Sequence, residues 1–271
     1  MGTAAMLRDR LLGSVFSKTI RDWLLWTVIA VIAMWLISGL YIAIMASTGD
    51  AYVTMLEDLP EFIANIYGAS DSTSQGMAMS GIYNLIGPLV LLTYAIGLGS
   101  SAAVGEEEAR SLPILLSSPL RRRSILLAKA AVAAIGVLVI IALTGASVIV
   151  ISAVVGMDLS DQNVLAASVQ LLGMVLLFGA LALGISAWRG SSSIGVGVAA
   201  ALALLSYVAT TLLPVVEDLA DVARLTPWYL FSGAESLRSG IDVVLLGIAL
   251  GLAALLFGAG LYALERRDLK G

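Results

Sequence analysis

Three consecutive carboxylates, Glu106, Glu107 and Glu108, head the longest charged passage between two very apolar stretches, GEEEARSLPILLSSPLRRRSILLAK over residues 105–129. Carboxylates in this setting offer ion pairing to a partner surface rather than bond-making chemistry. The chain contains no Cys and no His, which removes thiolate nucleophiles, thiolate metal sites, the usual general base and the commonest metal ligand. No Gly-x-x-x-x-Gly-Lys-[Ser/Thr] occurs, so no P-loop cradles a nucleotide phosphate here. The passage itself reads as a docking element. Its acidic start suits the positive first turn of a helix, and Ala109, Leu112, Leu115 and Leu116 recur at helical spacing, predicting a short helix lying under a membrane. Ser118 followed by Pro119 reads as an N-cap and first helical position, restarting the chain as a helix that climbs back into lipid.

The elements around this passage are membrane spans. With 59% apolar and 13% charged residues among 271, and a mean hydropathy of +0.99, the chain departs from the roughly 25% charge of a soluble domain. Six apolar runs, at 23–46, 82–104, 130–156, 164–188, 192–213 and 243–264, each exceed the roughly 20 residues that cross a hydrocarbon core. The expected fold is an all-α polytopic membrane protein, one transmembrane domain over 1–271 with a coupling segment at 105–123. The first run is too long for a signal-peptide core of roughly 7 to 15 residues and reads as retained. Ahead of it, Leu7, Leu11, Leu12, Val15, Phe16 and Ile20 share a helical face, with Arg8, Arg10, Lys18 and Arg21 elsewhere. That pattern fits an amphipathic helix on the inner membrane surface, or else a charged lead-in to the first span.

Charge placement orients the chain. Of its 15 Lys and Arg, four precede the first run, five lie between the second and third, one between the fourth and fifth, and three follow the last; only Arg224 and Arg238 lie on the other side. The positive-inside rule puts both termini and residues 105–123 in the cytosol, at the plasma membrane. Acid collects opposite, with Asp50, Glu57, Asp58, Glu61 and Asp71 in the first outer loop and Glu217, Asp218, Asp221, Glu235 and Asp242 in or beside the third. In the first outer loop Tyr52, Met55, Leu56, Leu59, Phe62, Ile63 and Ile66 keep helical spacing across Pro60, predicting one or two short helices, with Ser70–Gly76 as a flexible tip. In the third, Thr226, Pro227, Trp228 and Tyr229 fit an interfacial or re-entrant segment, or an ordinary aromatic belt.

No run contains Asp, Glu, Lys or Arg. Ion-coupled transporters and proton relays keep such residues at membrane depth despite their cost, so their absence points to an external energy source. Among the uncharged polar residues inside the runs, Asn84, Thr93, Tyr94, Gln170, Tyr207, Thr210 and Thr211 are the candidate pathway residues, which either line a pathway or hydrogen-bond between helices. Gly247-x-x-x-Gly251 and the small residues Gly195, Gly197, Ala199 and Ala200 permit close helix packing.

The acidic triplet, Ser111, Leu112, Leu115–Pro119, Arg121–Arg123 and Lys129 together resemble the cytosolic loop of ABC-2 type transporter permeases, with Arg110 where that family usually has Gly and Pro113 where it has a polar residue. Gly184-Ile-Ser-Ala-Trp-Arg-Gly, Leu225-Thr-Pro-Trp-Tyr, Gly233-Ala-Glu-Ser-Leu, Gly240-Ile-Asp and Glu265-Arg-Arg-Asp-Leu resemble later parts of the same permeases, so the similarity covers nearly the whole chain in register. The resemblance implies an exporter subunit working as a dimer, with a second copy of itself or a related permease, above two ATP-binding subunits that carry ATP and Mg. It implies no catalytic, cofactor or metal residue in this chain and no nucleic-acid partner. Glu106, Glu107, Glu108, Arg110, Leu112, Leu115 and Arg121 would couple to the ATPase, and the second and fifth spans would face the dimer axis. Of the pathway candidates Asn84, Thr93, Tyr94, Tyr207 and Thr210, that favours the last four. Rival readings are an ATP-independent channel or secondary transporter, and a membrane scaffold for assembly of another complex.

Overall fold

The computed structural model describes residues 3–57, 73–108, 122–157, 159–215, 219–231, 236 and 239–266. Among them every regular element is a helix, as a chain with its backbone in lipid requires, since a helix satisfies its own N–H and C=O groups. In chain order these are α1 (Thr3–Glu57), α2 (Ser74–Ser80), a π-helical turn (Gly81–Ile86), α3 (Gly87–Glu108), α4 (Arg122–Val155), α5 (Asp161–Arg189), α6 (Ser192–Leu212), a 3-10 turn (Leu213–Val215), α7 (Ala220–Ala223), a second 3-10 turn (Pro227–Leu230) and α8 (Val243–Arg266). Six stretches are long and apolar enough to cross a membrane: Phe16–Thr48, Gln75–Gly105, Arg123–Val155, Asp161–Arg189, Ser192–Leu212 and Val243–Arg266. The protein is a multi-pass membrane protein.

The helices outrun the apolar runs. The 55 residues of α1 span about 80 Å at 1.5 Å per residue, about twice the full thickness of a bilayer. The stretch before Trp23, read as an amphipathic helix or a charged lead-in, is helical from Thr3 and continuous with the first span, with no proline to interrupt it. At the other end Tyr52, Met55 and Leu56 form the last turns of α1; the apolar residues expected to continue from Leu59 to Ile66 lie outside the described residues. The expected loose tip at Ser70–Gly76 is corrected in its second half. Thr73 caps α2, its side chain accepting from the Gly76 N–H at 3.0 Å, so helix begins at Ser74.

The second span carries a π-helical turn that periodicity did not reveal. Pro88 has no N–H to give the Asn84 carbonyl, and its ring would strike that carbonyl in a regular α-helix. Widening the preceding turn relieves the conflict, and the Gly87 N–H reaches back to the Ile82 carbonyl. At the opposite end of α5, Gly190 takes the left-handed conformation (φ 68°) that ends the helix and lets α6 start two residues later.

α5 is the central post, packed against α3, α8, α6 and α4, while α1 packs mainly on α4. Met34, Ile42, Tyr83, Leu91, Ile140, Leu171, Met174 and Phe178 are sealed within the bundle. Small residues set the closest approaches. A Cβ at Gly99 would overlap the Gly179 carbonyl, one at Gly195 would overlap the Ser186 hydroxyl, and one at Gly260 would come within 3.0 Å of the Gly184 Cα. Of the small residues singled out in the sequence, Gly195 and Ala199 are buried, but Gly197, Ala200, Gly247 and Gly251 are exposed. Gly247 and Gly251 have nothing within 4 Å of an added Cβ, so Gly247-x-x-x-Gly251 packs no helix among the described residues.

Candidate functional site

α1 and α3 leave between them a groove of about 740 Å³, and its walls explain which candidate residues share a site. Thr93 and Tyr94 contribute from α3; Asp22, Trp23, Trp26 and Ile29 contribute from α1. Thr93 is exposed and spends its proton on the Leu89 carbonyl of its own helix at 2.7 Å, leaving its oxygen lone pairs toward the groove. Tyr94 is held more tightly. Its hydroxyl is 2.6 Å from Thr27 Oγ1, and Thr27 donates to the Trp23 carbonyl at 3.0 Å, so Tyr94 is the donor in the pair. Its hydroxyl also lies over Gly136 of α4, where a Cβ would overlap it. Tyr94 therefore fixes α1 and α4 against α3 while one side of its ring faces the groove.

The aromatic wall on α1 escaped sequence reasoning. Trp23, Trp26 and Thr27 stand at helical i, i+3, i+4 spacing, which was the available signal, but a span apolar all round does not announce which face meets a neighbour.

The other candidates lie elsewhere. Asn84 is in the π-helical turn, half-buried, donating from Nδ2 to Ser80 Oγ at 2.8 Å; nine residues from Thr93, it does not line the groove. Tyr207 and Thr210, on α6, join a separate cluster. The Tyr207 ring meets Trp228 edge-on with centroids 5.0 Å apart, Thr210 Oγ1 is 2.5 Å from Thr226 Oγ1, and the Trp228 N–H donates to Ser206 Oγ at 2.7 Å. Gln170 Nε2 adds a bond to the Leu230 carbonyl at 2.8 Å, and Leu230 and Phe231 are buried. The segment from Thr226 to Phe231 is thus strapped onto α5 and α6 by two helices' polar groups, more than an aromatic belt requires. Gln170 Oε1, fully buried, has no partner among the described residues.

Glu106, Glu107 and Glu108 are the last three residues of α3. This corrects the acidic-first-turn reading: the second span's helix runs on through Gly105 instead of stopping, so the glutamates stand at the negative end of its dipole. Arg110, Leu112, Leu115 and Arg121, with the expected short helix and its restart at Ser118–Pro119, lie outside the described residues.

Residues 14–269 match the family model described as ABC-2 family transporter protein. Neither the curated proteins nor the solved structures offer a significant match. A match running from the amphipathic start of α1 past the end of α8, over a bundle with six helices able to span a bilayer, leaves one conclusion: the chain belongs to the ABC-2 transporter family and is a multi-pass permease of that class.

Proposed function

We propose that the chain is the membrane-spanning subunit of an ATP-driven ABC-2 exporter, working as a dimer with two separate ATP-binding subunits. The family match over residues 14–269 carries this reading. The apolar runs, free of Asp, Glu, Lys and Arg, support it, because a transporter without intramembrane charge needs an energy source outside the membrane. The groove holding Thr93 and Tyr94, with its Trp23 and Trp26 wall, is the candidate path. Aromatic and aliphatic walls with a few hydroxyls, and one carboxylate, Asp22, just ahead of the first apolar run, suit an amphipathic or lipid-like cargo better than a small ion.

Co-purification with a P-loop ATPase and reconstitution into liposomes tests the proposal. Substrate-stimulated ATP hydrolysis is expected from the complex, and neither hydrolysis nor gradient-driven uptake from the chain alone. Proton- or sodium-driven uptake by the chain alone would sink the ATP-driven reading, and an ATPase complex without any transported substrate would favour the scaffold.

The orientation carries its own prediction. With 13 of 15 basic residues in the termini and the even-numbered connections between the apolar runs, residues 105–123 and both termini are expected in the cytosol. A Ser111→Cys variant should react with a membrane-impermeant maleimide only after the cells are opened. Labelling in intact cells would reverse the topology, and the lack of native Cys keeps the background clean.

A further inference from the structure

A second groove, of about 440 Å³, lies on the other side of the bundle, between α4 and α8. Its floor is the close approach of α3 to α5, where Gly99 and Gly179 bring two backbones together. Its walls touch only sparsely because each packs chiefly elsewhere, α4 against α1 and α8 against α5, and where they line the groove they face one another largely with alanines. Ala131 and Ala134 stand on one side, Ala254 and Phe257 on the other. Every lining side chain is hydrocarbon, so the groove has no hydrogen bond to give to water or to a polar cargo.

Two features identify an occupant. The first is length. The α4 wall runs from Leu127 to Val137, about 15 Å at 1.5 Å per residue, which is half of a roughly 30 Å hydrocarbon core and therefore the depth of one leaflet. The second is charge at the mouth. Arg123 precedes Leu127 by one turn on the same face, in the series 123, 127, 130, 134, 137; it is exposed and has no ion-pair or hydrogen-bond partner among the described residues. Arg121 and Arg122 adjoin it in sequence.

We infer that this groove is a binding site for a resident membrane phospholipid, one acyl chain lying between α4 and α8 and the phosphate meeting the Arg123 guanidinium. A hydrocarbon chain restores the dispersion contacts that the alanine walls would forfeit if the groove were empty. A guanidinium matches a phosphate with paired N–H donors, and the headgroup plane lies where a helix leaves the hydrocarbon. The inference depends only on the chain being embedded in a bilayer, so it stands or falls apart from the ATP-driven reading.

The test is native mass spectrometry of the full chain in detergent, with phosphatidylglycerol and with diacylglycerol of identical acyl chains as probes. The wild type should retain phosphatidylglycerol at least tenfold better than diacylglycerol. Arg123→Gln should bring the two to parity by weakening the phospholipid alone. Ala131→Leu with Ala254→Leu, both at exposed wall positions, should fill the groove and lose both lipids. Equal retention by wild type and all variants would show ordinary annular lipid and overturn the site, as would an unchanged lipid preference in Arg123→Gln. Should the double variant fail to elute as a folded protein, Arg123→Gln, outside the packed core, still decides.

Discussion

Reversing two charges, Glu107→Lys with Glu108→Lys, is expected to leave the six spanning helices folded and inserted yet to detach the ATP-binding subunit, or leave it hydrolysing ATP without transport. The position of these residues is the reason. At the end of α3 they oppose the helix dipole, an arrangement that costs a few tenths to about 1 kcal/mol per charge when nothing compensates. Helix stability therefore does not explain them, whereas a basic surface on a docking partner would. Removing one side of a desolvated interfacial charge pair costs about 2 to 5 kcal/mol, which at 1.4 kcal/mol per tenfold is roughly thirtyfold to several thousandfold in affinity. A rim pair would instead change the encounter rate and its salt dependence. The measurement is co-elution of the ATPase together with substrate export. Wild-type values for both would make the triplet a solvated juxtamembrane patch.

The second large effect is steric. Gly99→Val is expected to destabilise the bundle severely, because its Cβ would overlap the Gly179 carbonyl oxygen, and backbone cannot rotate away as a side chain can. Overpacking of a core typically costs about 1–3 kcal/mol, and a clash with backbone at the contact between α3 and the central helix α5 belongs at or above the upper end. Gly97→Val supplies the control. It lies two residues earlier in the same helix, is exposed, and would find nothing within 4 Å of its new Cβ. Thermal unfolding in detergent should show a markedly lower midpoint, or loss of the monodisperse species, for the first variant and little change for the second. Similar midpoints for the two would mean that α3 and α5 are not in contact at this point.

Sequence alone determined the number and identity of the spans, because burying backbone in hydrocarbon demands long apolar helices and each such helix is visible in one dimension. The same is true of the family: its motifs are local strings, such as Leu112 to Pro119 or Leu225 to Tyr229, and residues 14–269 match the family as a whole. Which faces meet was decided only in three dimensions. A soluble helix advertises its buried face by contrast with a polar one, but a helix apolar on every side carries no such contrast, so Gly247 and Gly251 looked like packing residues and proved exposed, while Gly99 and Gly179 make the contact that matters. The turn before Pro88 and the strap from Thr226 to Phe231 were hidden for a related reason. Each depends on a bond between residues far apart or out of α-helical register, Gly87 to Ile82 in one case and Gln170 to Leu230 in the other. Thr93 and Tyr94 were legible as polar residues in a span, yet their different settings were not: one hydroxyl faces a groove and the other is consumed in binding α3 to α1, a distinction that exists only once Thr27 has been brought alongside from 67 residues away.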